Sequence, residues 1–431
     1  MLVSSPNLIQ HTTGAGINTM LKKLSSVFSL VLVVFMIVSP VYALPQGQSV
    51  ESGTATFEQP DSSTLRITAA DKTVINFNSF NIAQNESVYF IQPQNSSSVL
   101  NRVNGGTPSV IAGLLNANGI LFLVNPSGIR FTPTAQVQAA GLIASTLDIA
   151  TNNFIKGNYL FEHRDGEGFA QVLNEGSISA DNVALIASAV GNSGIILASA
   201  GTVNLAAGDK TTVAFDARGL IQVEVNSATS AKVFDSNGVS VKDAVANSGT
   251  IQAREVYMSA STANDIFENA VNQTGIVRAT LFKEENGIIK IVANHTIQIS
   301  GELKAEHGQI KVSSADFVNI NSEFKSIGDT EIDAFRDISV NANFSTNSGN
   351  LKLIADSDLD GQGAFKQAKG TFISTLNTGD ITIQASGEST LANINSAGDL
   401  ILKAGGSAAT FNQWTDSSIV TAGSLIINPQ V

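Results

Sequence analysis

The sequence predicts an all-β protein wound as a parallel β-helix, a β-solenoid with N-terminal capping strands, and three observations carry that prediction. Charged residues make up only 14% and aromatics 6% of the 431 residues, while Gly, Ala, Ser, Asn, Thr, Ile and Val dominate. That balance disfavours helical bundles and suits short strands joined by polar turns. Apolar and polar residues alternate with period two in segments such as Thr64-Leu65-Arg66-Ile67-Thr68, the pattern of half-buried strands. A Gly-x-apolar unit, in places Asn-x-Gly-x-Ile, returns at many spacings near one or two times about 20 residues, the signature of stacked coils.

Composition also removes function classes. A net charge of −12 and a pI near 4.8 argue against nucleic acid or an anionic membrane surface as the main partner, since either calls for a basic patch. The absence of Cys excludes disulfides, thiolate metal sites and Cys nucleophiles. It also suits a chain that crosses an oxidising periplasm unfolded.

Taken in order, the chain opens with Lys22-Lys23, an apolar block over 27–38 and then Ser39-Pro40-Val41-Tyr42-Ala43. This reads as a secretory signal peptide cleaved after Ala43. The block is shorter than the roughly 20 residues of a spanning helix, so an integral membrane protein is not expected. Residues 1–43 are thus leader and signal, with Met20 the better start. Strands are expected over 54–57, 64–68, 73–82 and 88–91, those before Phe77 capping one end of the helix. An irregular insertion covers 151–168. Repeats follow, among them Asn174-Glu175-Gly176-Ser177-Ile178, Asn192-Ser193-Gly194-Ile195, Asn247-Ser248-Gly249-Thr250-Ile251, Gly379-Asp380-Ile381 and Gly398-Asp399-Leu400. Their Gly and Asn residues are expected to take φ > 0 at coil turns. Dividing the mature chain by about 20 residues gives on the order of 15 to 18 coils. Residues 424–431 stop in strand-like sequence, as in a truncated chain or one whose cap comes from elsewhere.

The stretch 99–149 organises the rest. It holds Asn101-Arg102-Val103 behind an apolar pair, a Gly-Gly-Thr-Pro-Ser turn, and Ile120-Leu121-Phe122-Leu123-Val124 running into Asn125-Pro126-Ser127-Gly128-Ile129. The last piece reads as a buried strand closed by a tight turn, Pro126 presetting φ and Gly128 supplying φ > 0. With Asn76-Phe77-Asn78-Ser79-Phe80-Asn81-Ile82 upstream and Val213-Ala214-Phe215 downstream as a closing rung, these pieces resemble the filamentous haemagglutinin-type N-terminal domain of two-partner secretion (TPS) exoproteins, over roughly 44–215. The resemblance implies a right-handed β-helix, with a secretion domain over 44–216 and continuing repeats over 217–431. It implies Sec-dependent passage to the periplasm, recognition by the POTRA domains of an outer-membrane TpsB-type transporter, and folding at the surface of a Gram-negative-type bacterium, nucleated by the same domain. Asn101, Arg102, Val103, Asn125, Pro126, Ser127, Gly128 and Ile129 become the candidate secretion-motif residues. Their alternative role is to hold the domain's fold.

Parallel β-helices also carry polysaccharide lyases and hydrolases, whose sites align two or three carboxylates across successive coils. Here Asp148, Asp181, Asp209, Asp216, Asp243, Asp316, Asp380 and Asp399 stand singly at expected turns, so neither enzymatic activity nor a cofactor is expected. A secreted, adhesin-like exoprotein with a host or cell-surface receptor or carbohydrate as ligand is the first reading, and a polysaccharide-binding or polysaccharide-degrading β-helix the alternative. His11, His163, His295 and His307 form no metal spacing. Asp356-Ser357-Asp358-Leu359-Asp360-Gly361 resembles the start of a calcium loop, making Asp356, Asp358 and Asp360 the calcium candidates. The position that loop reserves for a bidentate Glu is Gln367, however, and an acidic turn is the expected reading. Trp414 and Phe317, Phe324, Phe335, Phe344, Phe365 and Phe372 are expected to face the core rather than to line a sugar-binding face.

Overall fold

The computed structural model describes residues 44–217, 219–279, 287–407 and 409–428, and all of their side chains except those of Ser199, Glu306 and His307. The expected leader, with His11, lies outside the described residues. The described residues form one compact unit.

Alternating apolar residues wind that unit into a parallel β-helix with three faces. Two faces belong to a 24-stranded sheet and the third is a 12-stranded sheet. One register step is one coil: Val183 pairs with Val203, and Ile310 with Thr330, each 20 residues on. Inward residues such as Ile75, Leu123, Leu185 and Leu205 stack into a single core that continues to Leu400 and Leu402. Each such side chain, once fully buried, stabilises the fold by about 1.5–3 kcal/mol.

The expected cap is present. Ser49–Ser52 runs antiparallel to Thr73–Phe77, and Ala55–Asp61 antiparallel to Thr64–Ala69. Both strand edges of the first coil are therefore covered by strands that cannot continue the helix.

The coils are fewer than chain length suggests, because residues 146–170 and 208–242 leave the helix. Asp148–Ile149, Tyr159–Glu162, Lys210–Phe215 and Ile221–Ser227 form a four-stranded antiparallel sheet. A short helix, Thr151–Lys156, precedes the second of these strands and ends at Gly157 with φ 77°. The insertion expected over 151–168 is this excursion, and Val213-Ala214-Phe215 lies in the flanking sheet rather than in a coil. The physical reason is an apolar column on the outside of the helix. Val74, Leu100, Phe122, Ile143 and Ala184 are successive register partners, and the flanking sheet buries them in a second core with Phe154, Tyr159, Phe161 and Val213. Phe122 packs with its ring centroid 5.1 Å from both Phe154 and Tyr159. Lys72 donates to the Tyr159 hydroxyl and lies 4.7 Å from the centre of that ring, a cation held over an aromatic face.

The repeat glycines bear out the expectation only in part: Gly349 and Gly379 take φ 95° and 115°, while others do not. Gly194 and Gly249 have no positive φ; a Cβ on either would lie 2.2 Å from the carbonyl oxygen of the equivalent glycine one coil earlier. Close approach of coil to coil, not a left-handed backbone, excludes a side chain there. Nor do the repeat asparagines take φ > 0. Asn174, Asn192 and Asn247 are register partners whose buried amides donate in series, Asn174 to Asn192, Asn192 to Asn247 and Asn247 to Gln273, each at 2.7 Å. The aromatic expectation holds in part. Phe324, Phe344 and Phe365 are fully buried, whereas Phe317, Phe335, Phe372 and Trp414 are exposed. Phe372, for example, stands next to inward Ile373 and so points outward by alternation.

Candidate secretion-motif site

The two motifs lie side by side on neighbouring coils. Strand Ser98–Val103 pairs with Ile120–Val124 so that Asn101 faces Leu123 and Arg102 faces Val124; Asn125 follows directly. Alternation splits the first motif. Val99, Asn101 and Val103 point into the core, Asn101 standing in one column with Ile75 and Leu123. Its Nδ2 donates to the Phe122 carbonyl at 3.2 Å.

Arg102 points the other way, under the flanking sheet, and is 5% exposed. Its guanidinium joins three parts of the fold. Nη1 donates to Glu51 of the cap at 2.7 Å, Nε to Asp148 at 2.9 Å, and Nη2 to the Ile149 carbonyl at 2.6 Å. Thr151 Oγ1 closes the ring by donating to Glu51 at 2.5 Å. Partial burial alone raises the Glu51 carboxyl pKa, but the Thr151 hydroxyl, the Asn76 amide and the Arg102 guanidinium outweigh it and hold the group below its usual value. Arg164 also donates to Asp148, through Nε at 2.8 Å. Asp148 is therefore no lone turn former. It is the half-buried acceptor of two guanidinium groups, and its partners stand 46 and 16 residues away.

In the second motif Asn125 is fully buried and makes the turn. Its Oδ1 accepts the Ser127 N–H at 3.0 Å and its carbonyl accepts the Gly128 N–H at 3.0 Å. Its Nδ2 donates to the Thr107 carbonyl and to Ser109 Oγ, both at 2.9 Å, tying this corner to the loop after Arg102. Gly128 has φ 118°, as the turn requires. Ile129 enters the core and pairs with Ser109. Pro126 and Ser127 are half-buried and line a groove of about 550 Å³ together with Val103, Asn104, Arg164 and Phe169. One groove thus gathers both motifs and the excursion loop. The sequence signalled the motifs; Glu51, Asp148, Thr151 and Arg164 carried no local signal.

Elsewhere three of the turn carboxylates hold neighbouring coils together. Asp380 accepts the Asp399 N–H at 2.8 Å and Asp399 the Ser424 N–H at 2.7 Å, while Asp243 holds the amides of Asn269 and Asn272. Asp356, Asp358 and Asp360 can each bring one oxygen within 4.8 Å of the others. Both Asp356 oxygens accept the Gly361 N–H, and Asp360 accepts from Arg336 at 3.2 Å. Gln367 is turned into the helix, where its Oε1 accepts the Ala392 N–H at 2.8 Å. His163 stacks on Phe169 and His295 lies 3.8 Å from Asp316.

The family model of the TPS secretion domain matches residues 42–305. The chain belongs to the TPS secretion domain family. Two heme/hemopexin-binding proteins of Haemophilus influenzae are similar to it, one 32% identical over 272 residues and the other 31% identical over 307. Those alignments cover 60% and 65% of this chain but only 29% and 31% of the relatives, so the chain spans about a third of the length of the curated relatives it matches. The crystal structure of the HMW1 secretion domain from Haemophilus influenzae superposes with a TM-score of 0.58 at 23% identity, covering 89% of this chain and all of that one, and shares the TPS β-helix fold. The TPS match continues past Phe215, across the excursion and into the repeats beyond it. Among the described residues no helix is long and apolar enough to cross a membrane.

Proposed function

We propose that this chain is the exported member of a two-partner secretion pair, a non-enzymatic, adhesin-like exoprotein. It passes through the periplasm and reaches the cell surface through an outer-membrane transporter whose POTRA domains recognise the secretion domain. The observation that carries the reading is the match to the TPS secretion domain over residues 42–305, supported by the two motifs lying on neighbouring coils beside one groove.

Different motif residues serve this function in different ways. Asn101, Arg102 and Asn125 are buried and act through the fold that forms at the surface; Pro126 and Ser127 are the motif residues that stay half-exposed in it. Folding drives the outward step: once the cap and first coils have formed, each further coil adds parallel pairing and core burial to an existing template. Closing the Arg102 clasp requires Glu51, Asp148 and Thr151 together, so this template is complete only when residue 151 has emerged. The test is export of Asn125→Ala with the transporter present. Extracellular protein falls and periplasmic protein rises on this reading, while undiminished export of the variant would sink the role assigned to the motif.

A further inference from the structure

We propose that the outer edge of the flanking sheet is a strand-addition site, at which the folded chain takes up an extended peptide segment that carries a basic residue. The edge is Ile221–Ser227, which pairs antiparallel with Lys210–Phe215 on one side only. It lies within the chain, between the coil strands Ile195–Ala207 and Thr250–Ala260, so no chain end leaves it open. Its direction follows from Ile221. The Ile221 carbonyl accepts from Thr202 Oγ1 at 2.8 Å and from Asn204 Nδ2 at 3.0 Å, and its N–H donates to Asn182 Oδ1 at 3.4 Å, which puts both groups on the side away from Lys210–Phe215. By the two-residue period of a strand, the N–H and C=O of Val223 and of Val225 point the same way. Among the described residues no strand, loop or side chain takes them.

Unpaired edges are commonly guarded by charges, prolines or bulges. Here the guard is one carboxylate, Glu224, and a register break at the far end of the strand. Alternation sends Gln222, Glu224 and Asn226 to solvent and sets Val223 and Val225 down on the second core. The surface continues past the edge. Tyr257 and Ser259 are the register partners of Asn204 and Ala206 on the next coil, Val292 is the partner of Ser259 on the coil after, and all three are half-buried. An added strand thus finds donors and acceptors at its side and a floor for alternate apolar side chains beneath it, which is how strand addition gains affinity and specificity. Charge identifies the occupant. Gln222, Glu224, Asn226 and Ser227 include no cation, and the chain carries a net −12, so a second copy brings like charge to this edge. A Lys or Arg across from Glu224 forms a favourable cross-strand pair instead. Such a site works on the folded chain, whatever the route by which it reached the surface.

The test is fluorescence anisotropy of a labelled peptide of alternating valine and lysine, seven residues long like the edge, titrated with the chain from Leu44 onward between about 1 μM and about 1 mM. Saturable binding is expected. A peptide of the same composition with its valines and lysines in separate blocks does not bind, which separates strand pairing from attraction to an acidic chain. Val225→Pro removes one outward N–H without breaking a bond to Lys210–Phe215 and abolishes binding. Glu224→Lys, at an exposed position that keeps the test open if the proline variant unfolds, weakens binding about threefold to tenfold and admits a valine–glutamate peptide. Amide hydrogen exchange of Val223 and Val225 slows when the alternating peptide is bound, and circular dichroism reports the folding of each variant. No binding, equal binding of the block peptide, undiminished binding by either folded variant, or pairing of the chain with itself through this strand overturns the proposal.

Discussion

Replacing Arg102 with Met keeps the volume of the side chain and removes its charge, which isolates the clasp. Truncating one partner of a buried ion pair costs about 3–5 kcal/mol, since the remaining charge is left in a poor environment. Two features of this site move the expectation to the lower end. Asp148 keeps Arg164, and Glu51, whose side chain is 35% exposed, keeps Thr151 and Asn76. A loss of about 3 kcal/mol is therefore expected for Arg102→Met, by these same limits on a buried pair. Arg102→Lys retains the charge but cannot reach Glu51, Asp148 and the Ile149 carbonyl with one planar fork, and falls between the two. Urea unfolding at pH 7 followed by far-UV circular dichroism reads both numbers, and a cycle with Glu51→Gln gives the coupling to the cap, expected at about 1 kcal/mol or more. If Arg102→Met changes stability by less than about 0.5 kcal/mol, as an ordinary surface substitution does, the clasp does not hold the domain.

Three other outcomes follow from the same geometry. Gly194→Ala places a methyl group 2.2 Å from the Gly176 carbonyl and is expected to cost about 1–3 kcal/mol by overpacking; Gly168→Ala, with open space around it, is the near-neutral control in the same denaturation assay. Glu51 and Glu331 both have carboxyl pKa values below normal; burial raises each, but hydrogen bonds and cations outweigh it, Lys311 and Lys352 doing so at Glu331. Their contribution is fully present above the unfolded value of about 4.3 and is lost as pH falls through the depressed folded values. Unfolding midpoints against pH then show an acid limb that Glu51→Gln flattens, and an unaltered limb in that variant would contradict the assignment. Millimolar calcium is expected to leave the thermal midpoint where EDTA leaves it, because Arg336 and the Gly361 N–H already engage the Asp360 and Asp356 carboxylates; a calcium-dependent rise of several degrees would make Asp356, Asp358 and Asp360 a cation site.

The coils were legible because their inward positions alternate and their glycines recur, as at Gly176, Gly194 and Gly249. What sequence could not separate is the reason for each glycine, since a close backbone approach and a positive φ both demand the same residue. The flanking sheet was hidden for a related cause. Leu100 and Phe122 read as core, and they are core, but on the outside of the helix beneath strands contributed from 146–170 and 208–242. Hydropathy cannot say which side of a strand is covered. The motif turn at Asn125 and Gly128 was visible as local chemistry, with all its defining atoms within four residues. Arg102 was visible only as a residue in a pattern, since its partners lie 51 residues before it and 46 and 49 residues after it. Asp148 was misread for the same reason: a carboxylate at a turn looks solvated until the guanidinium that covers it is placed.

The most direct measurement of the central claim is the distribution of this chain between periplasm and medium in cells that carry its outer-membrane transporter and in cells that lack it. Two-partner export predicts extracellular protein only when the transporter is present, with the chain retained in the periplasm otherwise. Equal extracellular amounts in both strains would contradict it.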